Sequence, residues 1–344
     1  MQRTQSAETA PTEASWFPPI VCPIDQLQLV TAADARELVC TAGHGYPVEG
    51  GIPRLAGSQP GYADAFGEQW HHYRTTQLDS YTKTSISRDR LKRCLGEELW
   101  GRLQQQLPLQ VLEAGCGAGR FTEILLQLPA AIVTSTDLSS AVGPNQLNCP
   151  QSPRHRIIQC DINCLPFLPG QYDVVICLGV IQHTRNPERS IEDLYQHLRP
   201  GGWLVIDHYR PSLSRYTRFG EMLLRPVLKR LPPPKGLAVT EALTRLFFPL
   251  HRAARRLRAV QMVISRFSPL LTYYHAFPQL SDELQYEWAA LDTHDSLTDY
   301  YKHARSRRSI AMRLHGLNAQ RIWVEKGGNG VEARCQKPPV ISSA

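Results

Sequence analysis

One segment constrains the fold of this 344-residue chain more than any other. The apolar run around Val111-Leu112 passes through Glu113-Ala114 into Gly115-Cys116-Gly117-Ala118-Gly119-Arg120, and Phe121 to Leu128 then reads as a helix. Strand, glycine-rich turn and helix follow one another without a break. Glycines open backbone angles closed to other residues and let a ligand lie against the main chain. The first turn of the following helix offers unpaired N–H groups. The spacing is Gly-x-Gly-x-Gly. A nicotinamide fingerprint needs Gly-x-Gly-x-x-Gly, so the third glycine comes one residue early for a dinucleotide.

Downstream, apolar strands are predicted at 109–114, 131–136, 156–160, 172–178 and 202–208, separated by helical or turn-rich stretches. That alternation predicts βαβ units and a parallel sheet. The second strand ends at Asp137, about 20 residues beyond the glycine loop, where a carboxylate suits a ribose diol; capping a helix is the competing role. The third strand ends in Cys160-Asp161-Ile162, where an Asp can accept from a purine amine while Ile162 packs on the ring. The fourth runs Tyr172 to Gly179 and leads to Val180-Ile181-Gln182-His183. A helix from about Pro187 to Leu198 stops at Arg199-Pro200-Gly201-Gly202. After Tyr209 the strands stop for about 85 residues. A final helix near 296–316 and strands near 320–325 and 331–336 close the chain, with 327–330 as a hairpin loop.

This ordered series resembles class I S-adenosylmethionine-dependent methyltransferases. The resemblance rests on Glu113–Arg120, Asp137, Asp161-Ile162, Leu165-Pro166-Phe167, Tyr172–Gly179 and Leu198–Gly202. It implies an α/β, Rossmann-like fold: a mostly parallel seven-stranded sheet with helices on both faces. It also implies S-adenosyl-L-methionine as cofactor. Glu113, Gly115, Cys116, Gly117 and Gly119 would hold its methionine end, Asp137 and Leu138 the ribose, and Asp161 and Ile162 the adenine. Leu178 and Gly179 would complete the site.

Residues 16–57 resemble the small zinc-ribbon-type module that precedes some bacterial methyltransferases, with Cys22-Pro23-Ile24-Asp25, Cys40-Thr41-Ala42-Gly43-His44 and the Tyr46-Pro47-Val48 to Ile52-Pro53-Arg54-Leu55 ending. A complete ribbon carries two Cys-x-x-Cys knuckles. Here Asp25 and Gly43 replace the second Cys of each pair. Cys22, Asp25, Cys40 and His44 could still bind a metal, but an Asp makes a poorer structural zinc set, and the expectation is a degenerate, metal-free unit packed on the catalytic domain. The chain thus divides into a disordered leader (1–15), the ribbon-like module (16–57), a helical extension with exposed aromatics Phe66, Trp70 and Tyr73 (58–108), the cofactor domain (109–210 and 291–338), a helical insertion acting as substrate lid (211–290) and a disordered tail (339–344).

Charge is concentrated in the insertion. The chain has 38 Lys and Arg against 31 Asp and Glu. Residues 211–270 hold twelve of the former and only Glu221 and Glu241 of the latter, so the rest is mildly acidic. Ala253, Leu257, Val260, Ile264 and Phe267 recur at helical spacing as one apolar seam. The insertion reads as a solvated lid or as a basic amphipathic surface for anionic lipid or a phosphate-bearing acceptor. Aromatics are sparse among its basic residues, so nucleic acid is not expected as a partner. The nine cysteines are odd in number and irregularly spaced, no apolar signal core opens the chain, and no run is long enough to span a membrane. These point to reduced thiols and a cytoplasmic protein; the anionic-lipid reading of 211–270 would add peripheral contact with the inner membrane face.

The general base candidates are His183, at the end of the fourth strand, and His294 with Asp295 in the polar stretch Leu291–His303. Their bland alternatives are loop hydrogen bonding for His183, and helix capping at Asp295 or Ser296 with Asp299 facing solvent. The favoured function is methyl transfer to oxygen of a small-molecule, saccharide or lipid-linked glycan acceptor, as in polysaccharide biosynthesis. The alternatives are an RNA methyltransferase and a non-catalytic assembly partner. Against RNA, Leu178-Gly179-Val180-Ile181 lacks the Asn/Asp-Pro-Pro-aromatic motif of enzymes that methylate base amines.

Overall fold

The computed structural model describes residues 16–56, 61–212 and 217–340. The expected leader, and residues 341–344 of the expected tail, lie outside the described residues. Four short antiparallel strands come first: β1 (Val30–Thr31), β2 (Glu37–Val39), β3 (Gly45–Glu49) and β4 (Ile52–Pro53). Helices α1 (Asp64–His72), α2 (Asp79–Thr82) and α3 (Ile86–Leu103) follow. Then come β5 (Leu109–Ala114), α4 (Thr122–Leu125), β6 (Ala131–Asp137), α5 (Val142–Asn148), β7 (His155–Gln159), β8 (Tyr172–Cys177), α6 (Pro187–Gln196) and β9 (Leu198–His208). The insertion supplies α7 (Phe219–Leu228), α8 (Pro233–Ala253), α9 (Arg258–Phe267) and the start of α10 (Asp282–Thr298). Helix α11 (Arg307–Gly316), β10 (Gln320–Gly327) and β11 (Gly330–Gln336) complete the chain.

The seven-stranded sheet has the order β10-β11-β9-β8-β5-β6-β7. Strands β5 to β9 pair parallel, and β11 runs antiparallel to both β9 and β10. This is the Rossmann-like, mostly parallel sheet that the sequence predicts. Its central strands are apolar on both faces because both are covered. Successive residues alternate between them: Val111, Val174 and Ile176 join α3 and α4 in one core, and Leu112, Val175 and Cys177 join α6, α11 and the N-terminal unit in the other. Gly327 pairs with Gly330 across the expected hairpin.

Several local expectations change. The helix after the glycine loop spans only Thr122–Leu125; Pro129 disfavours helical geometry at the residue before it. The final helix is two. Helix α10 starts at Asp282, capped by the Ser281 hydroxyl accepting from Leu284 N, and so crosses the drawn boundary at 290/291. It stops where Asp299 turns inward, and α11 restarts on a Ser306 cap. The apolar seam is not one helix either: Ala253 ends α8, Leu257 precedes α9, and Leu257, Val260 and Phe267 are exposed. The aromatics expected to be exposed in 58–108 are covered: Tyr73 is buried against Leu237 and Leu291, Trp70 is half-buried beside it, and half-buried Phe66 meets the His183 ring. All nine cysteines are free thiols. Among the described residues no helix is long and apolar enough to cross a membrane.

Candidate active site

Strand order reverses at β5, which has β6 on one side and β8 on the other. Loops leaving the ends of two such strands diverge and open a crevice. The loop after β5 is fastened first: Gly115 N and Cys116 N donate to Thr136 O of β6 at 2.7 and 2.9 Å. Gly115 and Gly117 have φ of +82° and +50°. A Cβ at Gly115 would stand 2.2 Å from Val180, in the loop after β8, and one at Gly117 would stand 3.1 Å from Trp70 of α1. Conformation and space both demand glycine there.

The crevice continues under the insertion as one cavity of about 790 Å³. Of the residues expected to bind a cofactor, Gly115, Cys116, Gly117, Asp137, Leu138, Asp161, Ile162, Leu178 and Gly179 line it. Glu113 and Gly119 do not. Glu113 lies beneath the loop, accepting from Thr122 Oγ1 at 2.5 Å and Ser135 Oγ at 3.0 Å, and a Cβ on Gly119 would point at Cys149 Sγ. These two shape the loop without facing a ligand. Their positions in the motif look equivalent to the others; the pleat of β5 turns Glu113 away, and the loop turns Gly119 toward Cys149 and Asn145.

The donor set fits S-adenosylmethionine. Asp137 Oδ1 accepts from Ser139 N and Oγ at 2.9 and 2.7 Å, and Oδ2 accepts from Gly117 N at 2.9 Å. A carboxylate offers about four acceptor positions, so Oδ2 keeps one for a ribose hydroxyl. The capping-like turn therefore leaves room for a ligand contact on the same side chain. Asp161 spends only Oδ1, on Asn163 N and Nδ2, which leaves Oδ2 for an amine beside buried Ile162. Tyr62, Phe66 and Trp70 close this half from α1 and the residues before it.

Around the far half, His183 is buried and lines the cavity with Asp295. Its Nδ1 lies 3.2 Å from Tyr301 O and 3.3 Å from Asp299 Oδ2, and its Nε2 lies 3.9 Å from Asp295 Oδ1. Phe66 and Tyr209 flank the ring edge-on, 5.0 and 5.3 Å between centroids. Burial pulls the imidazole pKa down, but Asp295 and Asp299 outweigh it and leave the value raised. Burial raises Asp295, which accepts from Tyr209 OH at 3.3 Å. Lys302 Nζ, 3.9 Å from Asp299 Oδ2, puts a fixed positive charge beside this group, which suits a proton-handling cluster better than a metal site.

His294 does not join them. It faces α8, its Nδ1 2.9 Å from Thr240 Oγ1, and burial pushes its pKa down to about 4. On the same helix Asp295 and Ser296 line the cavity, while His294, turned by about 100° from Asp295, points to the other side. The solvent-facing alternative for Asp299 is also overturned: it is fully buried and held by Arg225 Nε at 2.8 Å. Tyr209, Tyr273, Asp292 and Lys302 line the same half and carry no motif. Tyr273 OH donates to Asp292, whose carboxyl burial pushes up to about 6. The only sequence signal for Asp292 and Lys302 is the polar and aromatic density at 292–303, and Tyr209 and Tyr273 carry none.

Residues 112–206 match the family described as "Methyltransferase domain". A malonyl-[acyl-carrier protein] O-methyltransferase of Paenibacillus is 31% identical over 33% of this chain and 44% of its own length. A ubiquinone biosynthesis O-methyltransferase of Coxiella burnetii is 29% identical over 33% and 50%. With an uncharacterized Synechococcus protein included, the chain spans 27% to 50% of the length of these relatives. A solved O-methyltransferase family protein of Burkholderia thailandensis is 12% identical, covering 83% of this chain and 67% of its own, at TM-score 0.45.

Two outcomes follow from this geometry. Asp137→Ala is expected to weaken S-adenosylmethionine binding by roughly 10- to 100-fold in calorimetry, the loss of a charged hydrogen bond; unchanged affinity would contradict the ribose assignment. Burial also pushes the Glu113 carboxyl up to about 7 from about 4.5, against the Thr122 and Ser135 hydrogen bonds. The stability tied to its protonated form is complete below pH 4.5 and is lost as pH rises through 7. Glu113→Gln should therefore gain relative to wild type as pH rises, by up to about 3 kcal/mol at pH 8 in urea unfolding. A difference independent of pH would refute that.

Proposed function

We propose that this chain, residues 112–206 of which match a methyltransferase domain family, moves a methyl group from S-adenosylmethionine to a hydroxyl of a saccharide, a lipid-linked glycan or a related small molecule. The bound cofactor supplies an electrophilic methyl on a sulfonium sulfur. The chain's own residues must bring an acceptor in line with it, keep water out and remove the acceptor's proton. Alignment alone supplies much of the acceleration in such a transfer. A hydroxyl additionally gains from a base near pKa 7.

The observation that carries the reading is His183 in the wall between the glycine loop and the lid. Asp299 and the Tyr301 carbonyl hold Nδ1–H, which leaves Nε2 to accept a proton; Asp295 then faces the imidazolium that forms. Tyr209 and Phe66 fix the ring and exclude water from it. The relatives' names, which are those of O-methyltransferases, agree with an oxygen acceptor. The test is transfer of label from methyl-labelled cofactor into fractionated cell extract. Label is expected in hydroxylic glycan or small-molecule fractions, and label in RNA would overturn the reading. On that acceptor, kcat should rise with pH as the imidazolium loses its proton, with a midpoint above 6.5 because the carboxylates raise it. His183→Gln should remove this limb and cost about 10²- to 10⁴-fold in kcat.

The lid's outer face supports an acceptor met at an anionic bilayer, on the cytoplasmic side. Phe219, Leu223 and Val227 of α7 and Val263 and Phe267 of α9 are exposed, and the Phe219 and Phe267 rings lie 5.9 Å apart, so the two apolar faces adjoin. Both acids of 211–270 are already neutralised, Glu221 by Lys302 and Arg218, Glu241 by His72 and Arg245. Arg225 is likewise spent on Asp299, but Arg256 and Arg258 are exposed beside the apolar residues. Apolar insertion plus about 1 kcal/mol per nearby basic residue suits a surface rich in anionic lipid. The protein is expected to float with phosphatidylglycerol vesicles and not with phosphatidylcholine ones, and Leu223→Asp/Phe267→Asp should abolish this. Equal flotation of the double variant would contradict it.

A further inference from the structure

The expectation of a metal-free N-terminal unit meets a cluster that hydrogen bonding does not account for. Cys22, Asp25, Cys40 and His44 each direct one donor atom to a common point, all four within 4.8 Å of one another. His44 Nδ1 lies 2.8 Å from Asp25 Oδ2, 3.5 Å from Cys40 Sγ and 3.6 Å from Cys22 Sγ. Cys40 Sγ lies 3.2 Å from Asp25 Oδ2. A ring nitrogen has one in-plane position, carrying either a proton or a lone pair. It can satisfy one of these three neighbours. One cation at the centre would satisfy all four donors together.

The spacings suit a small tetrahedral ion. With bonds of about 2.3 Å to sulfur and about 2.0 Å to nitrogen or oxygen, the edges of such a site are roughly 3.3–3.8 Å. The two sulfur–nitrogen separations fall in that range, and the two involving Asp25 fall somewhat below it. The surroundings are arranged to hold ligands in place. Each pair sits on a tight turn closed by the main chain, Gln26 N to Cys22 O at 2.9 Å and Gly43 N to Cys40 O at 3.0 Å. Left-handed Gln26 and Gly43, with φ of +61° and +88°, permit these turns. Leu27 N fixes the other oxygen of Asp25 at 2.9 Å, and Tyr46 OH meets Cys22 Sγ at 3.1 Å. Such contacts orient ligands in metal sites. Both cysteines are buried, while Asp25 and His44 close the outer side.

We propose that Cys22, Asp25, Cys40 and His44 bind one zinc ion in a closed, structural site. Asp25 and His44 take the places that two further thiolates hold in a complete ribbon, with His44 reaching the centre from one position later in the chain. Two thiolates, one carboxylate and a neutral imidazole are hard and soft donors that zinc accepts together. With no ligand position left open, the ion staples β1–β4, whose own apolar content is small. That unit in turn docks on the sheet at Val21 N to Pro166 O, 2.9 Å, and Leu55 N to Gln159 O, 2.8 Å, either side of Asp161-Ile162.

The test is the metal content of the full-length chain, purified without chelator and measured by elemental mass spectrometry. About one zinc per chain is expected, with Asp25→Ala and Cys40→Ser each reduced at least tenfold. Cobalt(II) added to the metal-stripped wild type should give the visible bands of tetrahedral thiolate-ligated cobalt, a readout that needs no variant to fold. A wild-type chain that, after zinc loading and desalting, carries no more metal than Cys22→Ser/Cys40→Ser would overturn the proposal. So would cobalt spectra without sulfur-to-metal charge transfer.

Discussion

Close approach of backbone to side chain at two glycines organises this molecule. Gly115 admits Val180 from the loop after β8, and Gly117 admits Trp70 from α1. The loop between them is pinned to β6 through Thr136 O. Three separate parts of the chain thus meet at the point where the sheet reverses its order. Glu113 serves the same end from below, since its carboxyl ties the end of β5 to Ser135 of β6 and Thr122 of α4. A side chain at Gly115 would collide with Val180, and one at Gly117 would press on Trp70, whatever the ligand.

The sheet was legible because its constraints are local. Strands buried on both faces are continuous apolar runs, and glycine turns with acidic strand ends mark where a ligand can lie. Element ends were less legible. Asp299 turns inward to Lys302, three residues on, and to Arg225 and His183, 74 and 116 residues away, and those two distant partners leave no local trace. The same holds for His294 and Asp295. Their neighbourhood announces titratable chemistry, but the pairing of α10 with α8 decides which one faces the cavity. Trp70 and Tyr73 read as exposed because the helices that cover them lie more than 150 residues later, and Phe66 because the ring it meets is that of His183.

The lid illustrates how charge in a sequence divides once folded. Arg218 and Arg225 are internal clamps, one on Pro269 O and Leu270 O, the other on Asp299. Lys302 holds Glu221 at 2.8 Å and at the same time biases the His183 cluster. Residues 211–290 are therefore tied to the wall that carries His183 through Lys302–Glu221 and Arg225–Asp299. The basic surface left over is smaller than the count of arginines suggests.

If the cavity holds the cofactor against the glycine loop, its reactive end should turn toward His183. A crystal structure of the chain with S-adenosylhomocysteine is the direct test. The ribose hydroxyls are expected on Asp137, the adenine beside Asp161 and Ile162, and the sulfur facing the space between Gly115 and His183. A ligand with its sulfur turned away from His183, or bound outside the cavity, would contradict it.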